Sequence, residues 1–509
     1  MKGRKVFCFD KKKQKTFVFE SSPSRSPVSK GKSFFLVFFF KKRTALKPML
    51  RALTPSPYPS RAAAWSLVAI LFLASILNTI DRSMLNFLVD SVRRDLAVSD
   101  VQISLLQGLS FSIFYVSAGL PLGLIADRVS RVKLLMLGSF IWSAATLASG
   151  LAPSYGWLFA GRMIVGFGEA TLGPCAMPLI SDSFPPARRG RPISLHLLGG
   201  SIAAGLSAVL IGWILQQAPL GTFAIFPGAA HAAPWRIAFV IAGALGIFLI
   251  GGLAFQPEPA RRGVAVNAAS SYRLRPIANY LRDNAAVFLF LYLGFAAFSL
   301  ATWAMVNWSA AMLMRQYALS PQAVAQGFGT NFIIAGAAGA LLSGQLLDVR
   351  SVHATPGAKL AILGILPLCT LPAAAATLAS GSFLATMLVA SMILVSPMVS
   401  IVMLRALSEM MPNDMRGLSV SLLSLFGTMI GGVLGPLLVA ICTEHVFRDD
   451  SMVGRSILIV AAPFLVLSSA CYFSARHALK LSLANRTGLG RTMAADMLRT
   501  APAEEVGRT

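Results

Sequence analysis

The sequence predicts an all-α integral membrane protein, with twelve transmembrane helices in two pseudo-symmetric six-helix bundles. Three observations carry that expectation. Hydrophobic residues make up 55% of the 509-residue chain and charged residues only 13%, about half the roughly 25% of a soluble domain. The apolar residues come in blocks of about 20 or more, the length that crosses roughly 30 Å of hydrocarbon as a helix. The short alternating segments of a membrane β-barrel are missing from the sequence. Motifs of the first half recur at corresponding positions in the second.

Taken in order, residues 1–62 form a basic tail. Residues 1–60 hold 15 of the 45 Lys and Arg and only 2 of the 20 Asp and Glu. Lys11, Lys12, Lys13 and Lys15 precede a Ser/Pro stretch and the run Phe34–Phe40, which is too short to span. Two readings stay open: a disordered basic tail against the cytoplasmic membrane surface, or a start called too early, with Met49 as the initiator.

Twelve spans follow, near 64–88, 103–126, 132–151, 157–179, 193–216, 236–255, 285–313, 324–347, 358–379, 382–406, 417–442 and 455–475. Residues 63–255 are the first bundle, 256–284 a connector with Arg261, Arg262, Arg273, Arg275 and Arg282, and 285–475 the second bundle. Residues 476–509 are a tail. Arg128, Arg131, Lys133, Arg188, Arg189 and Arg191 share the connector's side, whereas Arg93, Arg94 and Arg315 on the other side are offset by Asp90, Asp95 and Asp100. Lys and Arg concentrate in cytoplasmic loops, which places both termini and the connector in the cytoplasm. The net charge of +25 therefore reads as topology and affinity for anionic lipid, not as nucleic-acid binding. The five cysteines are scattered without metal-like spacing and read as small packing residues.

The internal echo is specific. Gly123-Leu-Ile-Ala-Asp127 ends span two, and Gly344-Gln-Leu-Leu-Asp348 ends span eight. Arg189-Gly190 precedes span five with Gly200 and Gly205 inside it, and Arg416-Gly417 precedes span eleven with Gly427 and Gly432 at the same offsets. Two parallel repeats of this kind are an arrangement of secondary transporters.

Charges inside the spans mark the candidate site. Leu158–Asp182 is long enough to cross a bilayer yet carries Arg162 and Glu169. Seven residues is close to two helical turns, so both lie on one stripe, together with Gly166 and Gly173. Span one holds Asn78-Thr79-Ile80-Asp81-Arg82. A mid-membrane charge costs about 2.5–3.5 kcal/mol on insertion scales, so such residues face a bundle interior or a cavity. Asp81, Arg82, Arg162 and Glu169 sum to zero and can neutralise one another. Burial and a neighbouring guanidinium act on a carboxyl in opposite senses, so this set can exchange a proton as helices rearrange, titrating as a coupled unit. A static network that only fixes packing stays open. The second half has acids only at span ends and in loops, which places proton coupling in the first half. Span seven offers Trp303 and Asn307, one turn apart; with Asn78 they are the candidate cavity residues, against core packing or interfacial anchoring of the tryptophan.

The loop Gly123-Leu-Ile-Ala-Asp127-Arg128-Val-Ser-Arg131-Val-Lys133 resembles the signature loop of the major facilitator superfamily, with Ser130 where glycine is usual and one residue between Arg131 and Lys133. The resemblance covers roughly residues 64–475. It implies the major facilitator fold and a cytoplasmic gate at Asp127, Arg128 and Arg131, where the two halves meet in an outward-open state. Asn78–Arg82, Arg162-x3-Gly166-x-Gly168-Glu169, Leu105–Gly108 and Pro234-Trp235-Arg236 look like the spinster-like branch, whose animal members transport lysophospholipids and sphingosine-1-phosphate. The Asp-Arg and Arg…Glu pattern is also similar to that of proton-coupled organic-anion symporters.

The resemblance implies a monomeric secondary transporter of a bacterial inner membrane, working by alternating access. Its partners would be a small organic or lipid-like substrate, protons and membrane lipids, with no cofactor or metal. An organic-anion:proton symporter or drug exporter is the alternative within the class, and a non-transporting membrane receptor or sensor the alternative outside it. No HExxH, GxSxG or P-loop occurs, so no enzyme is expected and no catalytic residue is assigned. His196 is a lone histidine early in span five, read as packing, with pH sensing as an outside alternative.

Overall fold

The computed structural model describes residues 58–500, apart from 224–231, 263–279, 281, 350–354 and 412–415. Most of the basic tail, the middle of the connector with Arg273 and Arg275, and the last nine residues lie outside the described residues. Among the described residues there are twelve helices long and apolar enough to cross a membrane, and no strand.

The first bundle contains span one, Arg61–Leu96; span two, Asp100–Gln107 continued by Leu109–Ala126; span three, Arg131–Gly150; span four, Tyr155–Glu169 continued by Leu172–Ser183; span five, Gly190–Gln217; and span six, Pro234–Ala254. The second contains span seven, Ala285–Gln316; span eight, Pro321–Asp348; span nine, starting with Pro356–Ile365; span ten, Ser382–Met410; span eleven, starting with Arg416–Phe426; and span twelve, Val453–Thr500.

Two spans run past their expected ends. Span twelve continues well beyond residue 475. Span one goes on after Leu88 through a charged segment that reads as loop in the sequence. The helix persists because those charges find partners: Asp90 pairs with Arg315 at 2.7 Å, Arg93 with Asp450 at 2.8 Å and Asp95 with Arg236 at 2.8 Å. It stops at Ala97, which takes a left-handed conformation with φ 50°, a common helix terminator though more usual at glycine.

One core, around Leu71, Leu135, Trp142, Leu179 and Leu249, lies within the first bundle. A larger one joins Trp308, Leu313, Val399 and Tyr472 of the second bundle to Met84, Leu88 and Ile103 of the first. The bundles meet mainly where span five crosses span eight and span two crosses span eleven. Both crossings are glycine on glycine. A Cβ at Gly205 would lie 2.5 Å from the carbonyl oxygen of Gly329, and one at Gly108 would lie 2.4 Å from that of Gly432. Gly108 and Gly329 hold equivalent places in the two repeats, as do Gly205 and Gly432, so one crossing is the symmetry image of the other.

The repeat extends to a pair of ion pairs. At the connector end of the first bundle, Arg131 at the start of span three meets Asp182 at the end of span four at 2.5 Å. In the second bundle, Lys359 at the start of span nine meets Glu409 at the end of span ten at 2.8 Å.

Candidate functional site

The four charged residues singled out in spans one and four assemble into two pairs. Successive residues on a helix point about 100° apart, so Asp81 and Arg82 diverge and reach different turns of span four. Arg162 Nη1 donates to Asp81 Oδ1 at 2.7 Å and to the Asp81 carbonyl at 3.3 Å. The Thr146 hydroxyl donates to the other carboxylate oxygen, Oδ2. Both side chains of this pair are almost fully buried, at 2% and 3% exposure. Arg82 Nε donates to Glu169 Oε2 at 2.7 Å. Here the acid is buried, but the arginine side chain is 31% exposed. Glu169 Oε1 is buried with no partner among the described residues.

The guanidinium of Arg82 is held in place by two rings of span two. Its central carbon lies 4.3 Å from the ring centre of Phe111 and 4.4 Å from that of Tyr115, within cation–π range. Gly166 on span four lets span two come this close: a Cβ there would meet the Phe111 carbonyl at 2.4 Å. Gly173, on the same stripe, has no such neighbour within 4 Å.

Arg82 faces a cavity of about 470 Å³ between the bundles. The first bundle contributes Arg82 and Tyr115, while span seven contributes Phe298, Ser299, Thr302 and Trp303. Spans eight, ten and eleven complete the wall with Phe332, Ser396, Ser400, Ser424, Gly427 and Thr428, among others. Among the described residues Arg82 is the one charged residue of the lining. Span eleven widens at this point into a π-helical segment, Gly427–Leu434, a local form that recurs at functional sites.

Trp303 is 40% exposed and lines the cavity, whereas Asn307 is buried at 3% and does not. Asn78 is half-buried and also outside the lining; its side-chain nitrogen is buried without a partner among the described residues. The sequence reading missed the two rings that hold Arg82. A search for aromatic residues one helical turn apart, as Phe111 and Tyr115 are, would have flagged them.

At the connector end, the three candidate gate residues take different roles. Asp127 and Arg128 are exposed, and Arg131 is buried in its pair with Asp182. Among the described residues the Asp127 carboxylate has no ion-pair partner. The connector itself docks on this loop. Arg261 donates to the carbonyls of Ala126, Asp127 and Val129. Glu258 accepts from Ser130 Oγ and from the backbone N–H groups of Arg131 and Val132 at 2.8–3.0 Å. A carboxylate at the start of span three meets the positive end of that helix.

At the far end the ion pairs join the bundles. Arg315 of span seven reaches Asp90 and Asp100, each at 2.7 Å. Glu444 of span eleven accepts the backbone N–H of Val101 at 3.0 Å. The bundles are thus tied together at the far end, with the cavity on the connector side of those ties.

Two pseudo-symmetric six-helix bundles around a central cavity define a membrane transporter rather than an enzyme. The chain belongs to the major facilitator superfamily, whose family model matches residues 71–436. It is 27% identical over 425 residues to an MFS-type efflux pump of Mycolicibacterium smegmatis, covering 81% of this chain and 93% of that protein. It is 30% identical over 248 residues to the sphingosine-1-phosphate transporter SPNS2 of Mus musculus, covering 47% of this chain and 42% of that protein. Among solved structures, a bacterial homologue of the lysosomal transporter spinster, in an inward-facing and unoccupied conformation, superposes with a TM-score of 0.72. That match has 24% sequence identity and covers 83% of this chain and 99% of the other.

Proposed function

We propose that this protein is a proton-coupled secondary transporter that moves an amphiphilic or anionic organic substrate by alternating access. The observation that carries the proposal is the Arg82–Glu169 pair. Its cation faces the cavity, and its acid keeps one oxygen without a partner. Asp81 is different, because both of its oxygens are engaged and its partner Arg162 is sealed in. Glu169 is therefore the proton carrier, and Asp81–Arg162 the brace that holds span one against span four. A proton on Glu169 removes the charge that holds Arg82. The freed guanidinium then binds an anionic head group in the cavity. Loss of the proton restores the pair and expels the anion.

The connector and both termini face the cytoplasm, by the Lys and Arg distribution, in a bacterial inner membrane. With the ties at the far end, the cavity then opens inward. In that state the Asp127 gate is disengaged, in keeping with its unpaired carboxylate. On the spinster-like resemblance of the sequence and the likeness to the sphingosine-1-phosphate transporter SPNS2, the substrate is lysophospholipid- or sphingoid-like. A second reading, a small organic anion, is favoured by the hydroxyls of Ser299, Thr302, Ser396, Ser400, Ser424 and Thr428 on the opposite wall.

The test is flux in proteoliposomes with lysophospholipid, sphingoid phosphate and small organic-anion probes, with and without a pH gradient. Wild type is compared with Glu169→Gln. Wild-type anion binding tightens as pH falls and Glu169 is neutralised. The variant loses gradient-driven accumulation and binds anion with little dependence on pH. Equal, pH-independent flux in both proteins would sink the proposal and leave the charged stripe as packing.

A further inference from the structure

Beside the Arg82 cavity lies a second chamber of about 260 Å³. The two share the residues Val306, Phe332, Ser396 and Ser400, so the chamber adjoins the cavity. Its private walls are Gly200 and Ala204 of span five, Gly336 of span eight, and Met392, Ile393 and Pro397 of span ten. Among the described residues no charged one lines it.

The chamber exists because two side chains are missing. A Cβ at Gly336 would meet only Ile393 Cγ2, at 3.9 Å, and one at Gly200 only Thr79 Oγ1, at 3.5 Å. These glycines differ from Gly205 and Gly108 at the bundle crossings, where a carbonyl oxygen lies within 2.5 Å of any added Cβ. Glycine inside a helix is destabilising relative to alanine. Close packing explains that cost at Gly205 and Gly108. At Gly200 and Gly336 no neighbour requires it, and what the glycines leave is open space next to a cationic cavity.

We propose that this chamber receives the apolar chain of a singly anionic amphiphile whose head group sits on Arg82, and that Gly200 and Gly336 set the chain length the protein accepts. The proposal rests on the proposed function and deepens it, because a single cation joined to an uncharged recess matches one anionic head and one tail. A small polyhydroxy acid would leave the recess empty.

The experiment uses the full chain in lipid nanodiscs and a series of n-alkyl phosphates from butyl to hexadecyl, at about pH 5, where each carries a single charge. Binding is read from tryptophan fluorescence and referred to the aqueous monomer. Wild type is expected to gain about fourfold in affinity per added methylene, the transfer value of a buried CH₂, up to a plateau where the chamber is full. Gly336→Leu brings the plateau to a shorter chain and lowers the ratio of long-chain to short-chain affinity. Gly200→Leu plugs the chamber from the opposite wall, and Gly336→Ala gives a milder version should either bulky variant fail to fold. Gly251→Leu, on span six and outside the chamber, keeps the wild-type plateau.

The two proposals fail in different ways. Absence of binding by every alkyl phosphate, the shortest included, would overturn the anion site at Arg82 and the chamber with it. Binding that does not grow with chain length, or a plateau unmoved by plugs from both walls, would overturn the chamber alone.

Discussion

At the far end of the molecule, beside the Asp95–Arg236 pair within the first bundle, acids and bases reach across between the bundles. Arg315 of the second bundle bridges Asp90 and Asp100 of the first, and Arg93 answers with Asp450. At the connector end, the same chemistry stays at home. Arg131 pairs with Asp182 inside the first bundle, and Lys359 with Glu409 inside the second. The repeat makes these two home pairs equivalent, whereas the bridging pairs at the far end have no such counterpart. The difference shows how one fold separates two tasks. A home pair need not break when the bundles move against each other, whereas a bridging pair must, so on this reading the bridging pairs bias which end of the cavity is shut.

The largest expected effect comes from cutting the bridge. The Arg315 side chain is 9% exposed and Asp100 fully buried. Arg315→Ala would leave Asp100 buried with only Arg93, at 3.4 Å, as a cation nearby. Breaking a buried pair on one side costs about 3–5 kcal/mol. Since Asp90 is partly exposed, the lower end of that range applies. The cost falls only on the state in which the far end is closed, so the population moves toward the opposite state. Distances between spin labels across the two ends would report the shift. An unchanged distribution would mean that the far-end ion pairs are decoration.

The sequence made some of this legible. Apolar blocks marked the spans, since nothing else explains such runs. Charges within them marked Asp81, Arg82, Arg162 and Glu169, because isolated ions in a membrane are costly. Which acid meets which base was not legible. A spacing of seven places Arg162 and Glu169 on one stripe but says nothing of how span one is docked against it. The bridge was hidden in another way: Asp90, Asp100 and Arg315 read as loop charges setting topology. The Lys359–Glu409 pair could have been found, because it stands where the repeat places the image of Arg131–Asp182. Trp303 and Asn307 parted because four residues overshoot one turn by about 40°, enough at a cavity edge to put one side chain inside and the other in the core.

A smaller effect sharpens the comparison midway between the ends. Gly205 and Gly108 sit at crossings that the repeat makes equivalent, so Gly205→Leu and Gly108→Leu should act alike. Each drives a side chain against a backbone carbonyl, and overpacking of this kind costs about 1–3 kcal/mol. Thermal unfolding should fall by similar amounts in the two variants. A large drop in one with none in the other would show that only one crossing is tightly packed, and would break the symmetry from which the two-task argument starts.

The smallest effect belongs to the connector. Glu258 accepts three hydrogen bonds at the start of span three, satisfying the first two free N–H groups of the helix beside the N-cap Ser130, whose hydroxyl accepts from Lys133. Loss of a helix cap costs about 0.5–2 kcal/mol. Glu258 belongs to a segment that docks on the first bundle alone, so it should behave as a home contact. Glu258→Ala is then expected to lower thermal stability by about 1 kcal/mol while leaving the spin-label distances at both ends as in wild type. A clear shift in those distances would give the connector a second role. Its hold on the Asp127 loop, through Glu258 and Arg261, would then bias the conformational balance as the far-end bridge does, and control of that balance would no longer be confined to the far end.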